Sequence, residues 1–182
     1  THTHIRSCYS GTWSNKSASE CTACVAGTYS NAGSSACSAC DSGKYSNASA
    51  SSCESCGAGK HASAASSTTC EPCEKGKYSS STGASVCEDA KGAYFCPDKG
   101  MVAPHKCSAE VGSAYTSSGG TSECNQCGNG YYMVDDECTE CPKGTTCDQG
   151  TTLTTMRVNP GQYRFTSDST EVYTCPVAEN CV

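Results

Sequence analysis

Residues 24–40 read CVAGTYSNAGSSACSAC, and residues 40–56 read CDSGKYSNASASSCESC. Both follow one plan: a Cys, a Gly three residues on, an aromatic two further, a run of small polar residues and a closing C-x-x-C. Working outward, the plan holds for Cys8, Cys24, Cys40, Cys56 and Cys73, with Gly11, Gly27, Gly43, Gly59 and Gly76 in the third place. The ring slot carries Trp13, Tyr29, Tyr45, His61 and Tyr78. The closing cysteines Cys21, Cys37, Cys53, Cys70 and Cys87 follow after 12, 12, 12, 13 and 13 intervening residues, a period of 16 to 17. Self-similarity at fixed spacing is the signature of a stacked repeat architecture.

Composition explains why the unit needs sulfur. Leu, Ile, Val and Phe number only 13 of 182 residues, too few for a self-sufficient core, whereas the chain holds 19 Cys. A chain so poor in aliphatics stays unfolded unless covalent staples replace burial. Such staples persist in oxidising compartments, which places the protein outside the cell or at its surface. The fold class read from this is small and disulfide-rich: mostly irregular with short β-hairpins, no helical core, and an elongated tandem array of modules of about 16 residues. One bridge and one ring cannot offset the ordering entropy of a whole module, so modules must lean on their neighbours.

Each slot has a physical reason. Gly permits a left-handed backbone or a close chain approach that turns the strand back toward its Cys. The ring then packs on sulfur in place of a core, and His61 is read in that role rather than as a ligand. Connectivity does not follow from sequence alone. The repeat suggests a ladder of within-loop pairs, Cys8–Cys21, Cys24–Cys37, Cys40–Cys53, Cys56–Cys70 and Cys73–Cys87. An interlaced set, such as Cys21–Cys37 with Cys24–Cys40, would be equally periodic.

Beyond Cys87 the regularity loosens. Cys107–Cys124 encloses 16 residues, with Gly112 and Tyr115 late against the template. Cys127–Cys138 returns to register with Gly130 and the ring Tyr132, and Cys141–Cys147 keeps Gly144 but has Thr146 in place of the ring. Cys96 is left unpaired, or paired with another molecule. Three regions are expected: five regular repeats over 1–87, irregular repeats over 88–147, and a capping module of β-hairpins over 148–182, closed by Cys175 and Cys181. There the turn signal Asn159-Pro160-Gly161 separates alternating segments, implying two or three short strands. The odd cysteine count, the start THTHIRSC without Met or apolar leader, and the ending ENCV suggest a piece of a larger chain.

The pattern C-x-x-C-x-x-G-x-Y-S with its closing C-x-x-C resembles the ephrin-receptor-like cysteine-rich repeat, a relative of the tumour-necrosis-factor-receptor module, from Cys8 to about Cys147. Residues 94–127 resemble variants found in large extracellular proteins of algae and other protists. The resemblance implies disulfide-laddered extracellular modules used in receptors, adhesins and fibrous assemblies, flagellar hairs among them.

Other chemistries fare less well. Net charge is −6 without a Lys/Arg stripe, which argues against nucleic acid and anionic membranes, and no segment is long and apolar enough to span a bilayer. Paired C-x-x-C motifs suit tetrahedral zinc, but here they are strung at an unbroken period, so no metal or cofactor is expected. A thioredoxin-like site would need a helix after one C-x-x-C. His2, His4, His61 and His105 are scattered and form no hydrolase set, and DDEC at Asp135–Cys138 reads as a solvated turn rather than a calcium loop. Asn15 and Asn47 head N-glycosylation sequons. The reading is a non-catalytic scaffold segment of a filament, coat or adhesive surface, with neighbouring copies, other extracellular proteins and attached glycans as partners. A ligand-binding receptor ectodomain is the alternative.

Overall fold

Each repeat offers no run of β-forming residues longer than two or three, because Gly interrupts one side and Ser, Asn and Ala fill the other. In the computed structural model, which describes residues 7–15 and 20–177, the strands are accordingly minimal. The first five hairpins pair Thr12–Trp13 with Thr22–Ala23, Thr28–Tyr29 with Ser38–Ala39, Lys44–Tyr45 with Glu54–Ser55, Lys60–His61 with Glu71–Pro72, and Lys77–Tyr78 with Glu88–Asp89. All are antiparallel. Five more follow: Tyr94–Phe95 with His105–Lys106, Tyr115–Thr116 with Gln126–Cys127, Tyr131–Val134 with Glu137–Glu140, Thr145–Thr146 with Arg157–Val158, and Gln162–Tyr163 with Tyr173–Thr174. Helix among the described residues is confined to the single turn Cys107–Glu110. The protein is a small disulfide-rich repeat array.

The chain divides into two compact units, one of Thr1–Asp89 with Asp98–Pro104 and one of Ala90–Pro97 with His105–Val182. In the second to fifth repeats the buried positions recur three apart: the opening Cys, the Gly and the residue after the ring. Cys24, Gly27 and Ser30 are buried together, as are Cys40, Gly43 and Ser46, Cys56, Gly59 and Ala62, and Cys73, Gly76 and Ser79. Sulfur and small side chains thus replace aliphatic burial. The buried serines are satisfied: Ser30 Oγ donates to the Thr12 carbonyl at 2.9 Å and Ser46 Oγ to Thr28 at 3.0 Å.

In the second unit a small apolar cluster forms from Tyr132, Cys147 and Met156, flanked by Val134, Cys141 and Leu153. Beside it the Arg164 guanidinium donates to four backbone carbonyls, those of Leu153, Met156, Ser167 and Ser169. Carbonyls that no strand reaches are satisfied in this way by one cation. Residues 157–174 supply three two-residue strands, and the first of them pairs with Thr145–Thr146, just before the final region anticipated from sequence. Gly161, with φ +78°, and the Gln162 N–H to Asn159 carbonyl bond of 3.0 Å form the turn at Asn159-Pro160-Gly161.

Candidate functional site

The repeated rung is the recurring structural unit of the first five repeats. Each rung is closed by a bridge between its own two cysteines: Cys8–Cys21, Cys24–Cys37, Cys40–Cys53, Cys56–Cys70 and Cys73–Cys87. Cys107–Cys124, Cys127–Cys138 and Cys141–Cys147 continue the series. Cys175 is also disulfide-bonded, and Cys181, its anticipated mate, lies outside the described residues. The bridge holds the bent loop, and backbone bonds then join the rungs.

Two bonds repeat from rung to rung. The buried Gly N–H donates to the residue after the next ring, from Gly11 to Ser30 (2.8 Å), Gly27 to Ser46 (2.9 Å), Gly43 to Ala62 (2.7 Å) and Gly59 to Ser79 (2.8 Å). The opening Cys carbonyl accepts from the next loop: Cys8 from Gly33, Cys24 from Ser49, Cys40 from Ser66, Cys56 from Gly83 and Cys73 from Gly100, all at 2.7 to 2.8 Å. Every one of those five donors has a left-handed backbone, from φ +59° at Ser66 to +77° at Gly33. The next rung but one is reached as well. A Cβ at Gly27 would stand 2.0 Å from the Ser66 carbonyl oxygen, so the two backbones touch where only hydrogen fits.

The rings are half-buried at Trp13, Tyr29, Tyr45, His61 and Tyr78, and Tyr132 is buried. Tyr45 and Tyr78 donate across their hairpins to Glu54 at 2.7 Å and Glu88 at 3.1 Å. The bond to the Glu54 carboxylate, reinforced by its charge, raises the Tyr45 phenol above its ordinary range. His61 behaves differently. Its Nδ1 lies 3.2 Å from the Glu71 carbonyl and 3.3 Å from Cys87 Sγ, a sulfur of the following rung rather than of its own.

Cys96 is free and fully buried, and burial pushes its thiol up. Its place is informative. Counting from Ala90 as from Cys73, Ala93 falls in the Gly slot with φ +69°, Phe95 in the ring slot, Cys96 in the slot of Ser79, and Pro104 where Cys87 stands. Residues 90–104 are therefore a sixth repeat without its bridge, which a search for paired cysteines passes over. The spacing of 14 between Ala90 and Pro104, equal to that of Cys73–Cys87, is the signal that identifies it. After it the helical turn Cys107–Glu110 shifts the register: Ser117, whose Oγ donates to the Tyr94 carbonyl at 2.7 Å, takes the serine slot, leaving Thr116 rather than Tyr115 in that of the ring.

Asn47 is exposed. Asn15 is among the described residues, whereas Lys16 and Ser17 of its sequon lie outside them. Asp135 and Asp136 occupy a two-residue hairpin turn with φ +49° and +62°, as tight turns of this kind require. No helix among the described residues is long and apolar enough to cross a membrane.

Residues 27–68, which run from inside the second rung through the third and into the fourth, match a family described as tyrosine-protein kinase ephrin type A/B receptor-like. Over that stretch the chain carries ephrin-receptor-like cysteine-rich repeats. No curated protein matches it. The ephrin-receptor-like repeat is an extracellular, non-catalytic cysteine-rich module, consistent with bridges that survive only in an oxidising compartment.

Proposed function

We propose that this chain is a load-carrying segment of an extracellular filament, coat or adhesive surface, working as a scaffold and not as a catalyst. The observation that carries the reading is the rung-to-rung bonding, in which the same Gly donor recurs over four successive steps and the same Cys acceptor over five. A unit that presents its neighbour with what its neighbour presents to the next can be lengthened without a new design. Neighbouring copies or other extracellular proteins are its partners, and Asn15 and Asn47 carry N-linked glycans.

The family description favours a second reading, a receptor ectodomain that takes a protein ligand. Sedimentation and negative-stain microscopy of the secreted, fully oxidised chain separate the two. Concentration-dependent lateral or end-to-end assembly is the expected result. A monomer at every concentration that captures a defined protein from the cell surface would replace the scaffold by a receptor. Intact-mass analysis before and after glycosidase treatment reads the two sequons in the same sample.

A further inference from the structure

We propose that the Cys73–Cys87 rung is a redox-gated metal site: once a small dithiol opens this bridge, Cys73, Cys87 and His61 together take one thiophilic divalent cation, zinc in particular. This is independent of the scaffold reading. A ring nitrogen of His61 and the two sulfurs all lie within 4.8 Å of one another, with Cys73 buried and the other two half-buried. In a tetrahedral zinc site two thiolates stand about 3.8 Å apart, and a thiolate and an imidazole nitrogen about 3.5 Å. The Nδ1 nitrogen is already 3.3 Å from Cys87 Sγ, so that pair is near the spacing a shared cation needs, and the sulfurs must separate, by side-chain rotation, once their bond is gone. The fourth position is left to water.

One feature, the imidazole, singles out this rung. Of the rings in the first five repeats, only His61 brings a nitrogen to sulfur; the others are Trp13, Tyr29, Tyr45 and Tyr78, which offer none in that place. A dithiol reaches the half-buried Cys87 first and Cys73 departs as a thiolate, with the His61 ring within 4.8 Å of it. As in the other rungs, backbone bonds tie the loop to its neighbours beside the bridge. The Cys73 N–H donates to Gly59 at 2.9 Å, the Cys73 carbonyl accepts from Gly100 at 2.7 Å, Gly83 donates to Cys56 at 2.7 Å, and Tyr78 pairs with both Glu88 and Met101.

The chemistry balances. Two electrons and two protons pass from the dithiol to the S–S bond, which breaks into two thiols, and the dithiol closes as its own disulfide. Metal entry then releases both thiol protons to solvent. In the closed rung His61 Nδ1–H donates to the Glu71 carbonyl; metal entry moves the ring proton to Nε2 through solvent, gives up that bond and leaves the Nδ1 lone pair to the cation.

The test treats the oxidised full chain with graded dithiothreitol under argon, removes the reductant, and maps the opened bridges by alkylation and mass spectrometry. Parallel samples are titrated with Co²⁺ as a coloured stand-in for zinc. Cys73–Cys87 should open at lower reductant than Cys40–Cys53 or Cys56–Cys70, and the opened chain should bind one Co²⁺ with thiolate charge-transfer absorption. His61→Tyr, which restores the ring of the other rungs and so preserves the fold, should weaken Co²⁺ at least about tenfold. The double variant Cys73→Ser/Cys87→Ser should abolish the band. Opening of another bridge first, or equal Co²⁺ affinity in His61→Tyr or in the double serine variant, would overturn the assignment.

Discussion

At Gly27 the backbone is at φ +83°, and the Ser66 carbonyl of the rung after next lies where a Cβ would go, 2.0 Å from it. Two separate penalties therefore meet at one position. Left-handed backbone alone costs an L-residue roughly 1 to 2 kcal/mol, and the approaching atom is backbone, which cannot swing aside. Gly130 separates the two effects, because its φ is +84° with nothing within 4 Å. Gly130→Ala should lower stability by about 1 kcal/mol, whereas Gly27→Ala should cost about 3 kcal/mol or more. Calorimetric melting of both variants in oxidised form reads the difference, and equal losses would mean that the rungs are not in contact there. The sequence shows that Gly is required in this slot. Which of the two reasons applies is not written locally, since the answer depends on a residue 39 positions away.

The rung is the element whose integrity is covalent. Closing a loop of this size by a disulfide contributes about 3 kcal/mol, so Cys24→Ser/Cys37→Ser should lower global stability by about that amount. Its local effect is more diagnostic. The Gly11 N–H is bonded to Ser30 inside the opened loop, while the Gly59 N–H is bonded to Ser79, in a rung that does not touch it. Hydrogen exchange should therefore accelerate strongly at Gly11 and little at Gly59; uniform acceleration would show that the array opens as one block instead of rung by rung. Rung boundaries were legible because sulfur marks them. The sixth repeat was not, because Ala90 and Pro104 stand where cysteine marks the others, and only its Phe95 and its spacing remain. Nor were the acceptor–donor contacts between loops legible: Gly33, Ser49, Ser66, Gly83 and Gly100 share a backbone angle, not a residue type. Arg164 was equally hidden, since its four carbonyl partners belong to loops with no pattern of their own.

On the scale of the whole chain, stability is distributed along the sequence, and among the described residues a small apolar cluster forms in one of the two units. An array held by nearest and next-nearest rungs should tolerate loss of a complete period and not of a partial one. Excision of residues 40–55 supplies the case. Cys56 then follows Ala39 as Cys40 did, and Ser66 inherits the place of Ser49 with φ +59° against +60°. Gly83 inherits that of Ser66 beneath Gly27, again with a left-handed backbone, at +75°. Every contact of the missing rung is thus remade by its successor. The shortened chain should oxidise to Cys8–Cys21, Cys24–Cys37, Cys56–Cys70 and Cys73–Cys87, and non-reducing peptide mapping will show those pairs. Excision of residues 40–47, about half a period, leaves Cys53 without its loop mate and should give mixed pairings and a loss of ordered hairpins by circular dichroism. If the full-period deletion scrambles as badly as the half-period one, the rungs are not interchangeable, and the ladder cannot be the extendable device that a filament segment needs.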